Sequence, residues 1–120
     1  MPLNDPPFTI GIEEEYFFVD RETRNLAVDP PATMMADCAA QLTGQVSPEF
    51  LRAQIEVETR VCTSVAEARA DLAHLRSTVA SVANNHGLGL IAAATHPFAK
   101  WNDQQHTDKE RYNELAQDMQ

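Results

Sequence analysis

Hydrophobic and polar positions along the chain follow two rhythms, one of period two and one near 3.6 residues, which predict a mixture of strands and helices. Alternation is strict over residues 50–61, where Leu51, Ala53, Ile55, Val57, Thr59 and Val61 face one side and Arg52, Gln54, Glu56, Glu58 and Arg60 the other. Residues 9–20 also have the make-up of a strand, rich in β-branched and aromatic side chains and closed by the turn-forming Asp20-Arg21 pair. There Ile10, Ile12, Glu14, Tyr16 and Phe18 share one face, and Gly11, Glu13, Glu15, Phe17 and Val19 the other. Pro6-Pro7 makes residues 1–7 an extended lead-in. After the polar turn at 20–25, Leu26-Ala27-Val28 is expected to return as the second arm of a hairpin, stopped by Asp29-Pro30-Pro31.

Three segments carry helical spacing. Met34, Met35, Cys38, Ala39 and Leu42 predict an amphipathic helix over residues 31–42, with Gly44 as its stop. Ser64 and Glu67 form a capping box at the head of a long helix whose apolar stripe is Val65, Leu72, Leu75, Val79 and Val82, ending at Gly87. Arg69, Asp71, His74 and Arg76 fall on the side of that helix expected to face water. Tyr112, Leu115 and Met119 line one face of a helix over residues 108–120, capped by Thr107 or Asp108. Between the last two helices, the continuous apolar run 88–94 reads as a buried strand feeding the loop Thr95-His96-Pro97-Phe98, and the polar residues 102–107 read as a mobile loop. This order of elements suggests α+β or α/β layering.

Composition narrows the function. A chain of 120 residues is long enough for one domain with a real core. Its net charge of −9 argues against nucleic acid or an anionic membrane as partner, because both select Lys and Arg. It leaves nucleotides open, since acidic sites bind them through metal ions. Cys38 and Cys62 stand apart, outside any zinc-ligand spacing, and are expected to be small core residues of a reduced compartment. No apolar run approaches membrane-spanning length, and residues 1–7 have neither a basic segment nor an apolar signal region, so a cytoplasmic location is expected.

Against this background the carboxylates of residues 13–15 are out of place. Glu13 and Glu15 point the same way about 7 Å apart at Cα, and on a half-buried surface such like charges raise each other's pKa unless a cation lies between them. Mg²⁺ or Mn²⁺ would relieve the conflict, as would an edge position facing water. Glu56 and Glu58 repeat the pattern. If the two strands are neighbours, up to four carboxylates converge, enough for two or three ions carrying a nucleotide; the polar side of residues 50–61 otherwise faces solvent. His96 is kept out of helical conformation by Pro97 and can aim its ring into a cleft or serve the scaffold. Arg111 suits a carboxylate or phosphate clamp, or is a surface arginine.

Four motifs taken together resemble a known family: Gly11-Ile12-Glu13-Glu14-Glu15-Tyr16-Phe17; Gln54-Ile55-Glu56 followed by Thr59 and Val61-Cys62; Thr95-His96-Pro97-Phe98-Ala99 with Trp101; and Glu110-Arg111-Tyr112. In this order they look like the N-terminal portion of the bacterial carboxylate-amine ligases of the glutamate–cysteine ligase type 2 family. The resemblance implies an α+β fold, part of a glutamine-synthetase-like catalytic domain with a mostly antiparallel sheet and helices packed on one face. It implies an ADP-forming ligase in which ATP phosphorylates the γ-carboxylate of glutamate and an amine such as that of cysteine attacks the acyl phosphate. Mg²⁺ or Mn²⁺ would be bound with the nucleotide.

Residue by residue, Glu13, Glu15 and Glu56 match the family's metal- and nucleotide-binding positions, and Glu49 is a weaker match to an acidic residue there. Arg111 matches a site arginine near an anionic substrate or phosphate, with His96 a further substrate-binding candidate, while Glu14 and Glu58 match no firm role. Family members run to several hundred residues, so residues 1–120 are expected to be the N-terminal part of one catalytic domain, inactive alone. An exposed sheet edge would favour self-association into a homo-oligomer. The alternatives from other classes are an acidic module that binds a divalent cation without chemistry, and a non-catalytic interaction fragment.

Overall fold

Strand β1 (Glu13–Asp20) lies inside a four-stranded antiparallel sheet of order β2 (Val46–Pro48), β3 (Gln54–Glu58), β1, β4 (Leu88–Ile91). The computed structural model describes residues 4–119. Residues 1–3 of the expected lead-in and Gln120, expected at the end of the last helix, lie outside the described residues. With helices α1 (Ala32–Gln41), α2 (Val65–Asn85) and α3 (Glu110–Asp118), the architecture is α+β, as expected.

The two faces of β1 meet different surroundings. Tyr16 and Phe18, with Ile55 and Val57 of β3, form the main core against Met34 and Cys38 of α1 and Leu75, Val79, Val82 and Ala83 of α2. On the opposite face Phe17 packs with Leu26 and Ala53 in a smaller cluster. Both cysteines are buried and unpaired as disulfides, and burial pushes the Cys38 thiol up to about 11, the behaviour of an inert core residue. No described helix is long and apolar enough to cross a membrane.

The capping box of α2 forms as its residues predict, Ser64 Oγ accepting from Glu67 N at 3.1 Å while Glu67 reaches back to Thr63 N at 2.7 Å. Gly44 and Gly87 both adopt positive φ, 75° and 74°, at the turns that end α1 and α2. Val65, expected in the apolar stripe, is 76% exposed, and Ala68 and Ala83 take buried places instead.

Several expectations change for identifiable reasons. Strict alternation holds only across β3. Val61 is 78% exposed because the Glu13↔Glu58 register slips by one residue before the Ile10↔Cys62 bridge, and one extra residue turns Val61 outward while Cys62 goes inward. Ile12 N spans this bulge to Thr59 Oγ1 at 3.0 Å, so β1 starts at Glu13 rather than at Thr9. At the other end the chain turns at Arg52-Ala53, which moves Ala53 to the face opposite Ile55. The hairpin arm shrinks to one bridge, Val19↔Leu26, and Val46–Pro48 forms a strand that its short, Pro-ended sequence does not advertise.

The run 88–94 yields only β4, half-buried rather than buried, because it is an edge strand paired on one side to β1. Residues 102–107 are held rather than loose: Leu51 bridges His106, and Thr107 N donates to Phe50 O at 2.8 Å. Neither Thr107 nor Asp108 caps α3. The N-cap position falls on Lys109 without a side-chain bond, and the Thr107 hydroxyl donates to Glu49 O instead.

Candidate functional site

Antiparallel pairing sets Glu15 directly across from Glu56 and Glu13 across from Glu58, so these four acids share one face of the sheet. It is the face away from α1 and α2. The short connection after β2 then brings Glu49 in. One carboxylate oxygen from each of Glu15, Glu49 and Glu56 lies within 4.8 Å of the other two. Octahedral Mg²⁺ holds its oxygens about 3–4 Å apart, so this trio fits a hard divalent cation with small side-chain adjustments.

Glu13 joins Glu14, Glu15 and Glu56 in lining an open cleft of about 410 Å³, together with Ala92, Ala93 and Ala94. The three small side chains follow β4, paired to β1 at Phe17↔Ile91, and leave space over the acids. Glu58 is exposed at the margin.

The electrostatic conflict anticipated from the sequence falls on Glu56. Burial raises its carboxyl above the usual carboxylate range, and the charges of Glu49, Glu13 and Glu15 push it further, with a hydrogen bond to Glu49 adding to the shift. A site with this pattern gains when a cation replaces the proton.

Glu14 faces the helices. Its carboxylate takes Arg76 Nε at 2.6 Å and a second guanidinium nitrogen, and accepts from the Tyr16 hydroxyl. Arg76 is exposed, as expected, and its guanidinium reaches back to the sheet. Asp71, also expected on the wet side, accepts from Arg60 N at 2.7 Å and Gln45 Nε2 at 3.0 Å.

His96 is 6% exposed and both ring nitrogens are occupied by backbone. Nδ1 accepts from Ala99 N at 3.0 Å and Phe98 N at 3.3 Å, which puts the proton on Nε2, 2.9 Å from Arg24 O. It clamps its own loop to the turn after β1 and leaves no nitrogen for a substrate. Arg111 is exposed on the first turn of α3, and its neighbour Tyr112 reaches the acids: the hydroxyl lies 3.3 Å from Glu49 Oε1. The sequence assigned Tyr112 to an apolar helical face and missed this contact. Its place in the Glu110-Arg111-Tyr112 motif was the available signal.

The family model described as glutamate-cysteine ligase family 2 matches residues 9–120. A Jannaschia protein is 60% identical over 117 residues, 98% of this chain and 31% of its own length. One from Rhodospirillum rubrum is 55% identical over 122 residues, again 98% and 31%, and one from Chloroflexus aurantiacus is 41% identical over 122 residues, 97% and 30%. Each is named "Putative glutamate--cysteine ligase 2". The chain thus spans about 30% of the length of these relatives.

Proposed function

The chain belongs to glutamate–cysteine ligase family 2, and on that premise we propose that it supplies the acidic, cation-holding part of an ATP-dependent carboxylate-amine ligase. The reaction is ADP-forming: the γ-phosphoryl group of ATP passes to the γ-carboxylate of glutamate, and the amine of cysteine displaces phosphate from the acyl phosphate. The domain is then the N-terminal part of a glutamine-synthetase-like catalytic domain. The observation that carries the reading is the convergence of Glu15, Glu49 and Glu56 across two paired strands and a connecting turn.

Glu15, Glu49 and Glu56 would hold Mg²⁺ or Mn²⁺, with Glu13 beside them on the cleft wall. Bound there, such ions would neutralise phosphate charge as it moves between two anions. The chain's own residues do the positioning. β1 and β3, backed by the main core, keep the carboxylates at fixed spacing, so little reorganisation is needed when charge arrives. The alanine wall leaves room for a phosphate chain over the acids. Arg111, exposed on α3, offers a planar guanidinium to a carboxylate or phosphate. His96 acts only by holding its loop.

The experiment is glutamate- and cysteine-dependent ADP release. In a chimera joining this chain to the rest of the Jannaschia relative, Glu56→Gln is expected to lower kcat at least about 100-fold. The 120-residue chain alone is expected to release no ADP, since it offers one acidic wall of an open cleft. Undiminished turnover in the variant chimera would overturn the assignment of the acids, and metal-dependent turnover by the chain alone would overturn its partial role.

A further inference from the structure

We infer that Tyr112 is a positioning residue that ties the docking of α3 to cation binding through Glu49. This rests on the proposed cation site and goes beyond it, because it concerns how one ligand is aimed and what else moves with it.

Glu49 sits on a turn rather than in a strand, so the ladder that fixes Glu15 and Glu56 does not fix it. Three contacts replace the ladder. Phe50 N donates to Glu49 Oε1 at 2.8 Å, the Tyr112 hydroxyl approaches the same oxygen at 3.3 Å, and the Thr107 hydroxyl donates to Glu49 O. With two donors on Oε1, the second carboxylate oxygen is left for a cation, the arrangement by which outer groups orient metal ligands.

The same contact matters to the helix. No residue of α3 is fully buried, and its ties to the body include Tyr112, whose ring meets Phe50 edge-on at 5.7 Å, Asn113, whose Oδ1 meets His106 Nε2 at 2.8 Å, and the half-buried Ala116. A helix with so little buried surface opens easily. Whatever stiffens Glu49 therefore stiffens α3, and with it Arg111, one residue before Tyr112. By linkage the effect is reciprocal, and a docked α3 strengthens cation binding.

The test uses the 120-residue chain and its Tyr112→Phe variant, which keeps the ring against Phe50 and removes only the hydroxyl. Each is titrated with MnCl₂ by calorimetry, and amide hydrogen exchange across residues 110–118 is measured with and without saturating Mn²⁺. The expected result is binding about tenfold weaker in the variant, with an unchanged melting temperature in the absence of metal. Mn²⁺ should slow exchange in α3 of the parent chain and not in the variant. Equal affinity with equal slowing overturns the role of Tyr112 and leaves the cation site standing. Absence of any Mn²⁺ binding in the parent overturns both.

Discussion

Glu14 and Arg76 form a two-pronged ion pair between β1 and α2 on the sheet face opposite Glu13 and Glu15. The pair resolves how three consecutive carboxylates are accommodated in a central strand. The strand's pleat sends the middle acid to a cation supplied by the chain and the outer two to the open cleft. Arg76, together with the Tyr16 hydroxyl, holds the Glu14 carboxyl below its ordinary value of 4.5 against the opposing effect of burial. A depressed folded pKa contributes stability that is present above 4.5 and lost as pH falls through the folded value. Glu14→Gln should therefore melt below the parent chain at neutral pH, with the gap closing in strong acid. A gap independent of pH contradicts the pairing.

Glu56 has the opposite sign. Its folded pKa is raised above 4.5, so its charge opposes folding once pH exceeds that value, and the penalty is complete above the folded pKa. In the absence of divalent ions Glu56→Gln should raise the melting temperature at neutral pH and change nothing in strong acid. A lower melting temperature at neutral pH would show that the acids are not in repulsive contact.

His96 should behave as a scaffold residue. Removing its ring leaves Arg24 O and the amides of Phe98 and Ala99 without partners, so His96→Ala is expected to cost about 2 kcal/mol in urea unfolding while leaving Mn²⁺ affinity intact. Unchanged stability with weakened ligand binding would return it to the substrate site.

The legible parts of this fold were those governed by local rules. The capping box at Ser64 and Glu67 and the face sharing of Glu13 with Glu15 follow from spacing alone. The pairing of β1 with β3 was conditional in the sequence, because nothing in residues 9–20 names its neighbour; antiparallel register supplied it. Val61 was misassigned because a one-residue bulge inverts every facing beyond it. Arg76 and Tyr112 went unrecognised because each partner lies 62 or 63 residues away, and helical periodicity reports only which side of a helix a residue is on. Glu49 was a weak candidate since its role depends on a turn between two strands, one of them unforeseen.

The central claim is that Glu15, Glu49 and Glu56 together hold a divalent cation. Paramagnetic broadening by Mn²⁺ in NMR spectra of the 120-residue chain tests it most directly. The account predicts that substoichiometric Mn²⁺ selectively erases signals around these three residues and Ala92, Ala93 and Ala94, that Mg²⁺ competes the effect away, and that Glu56→Gln abolishes it. Diffuse broadening over the acidic surface, or broadening that survives Glu56→Gln unchanged, would contradict it.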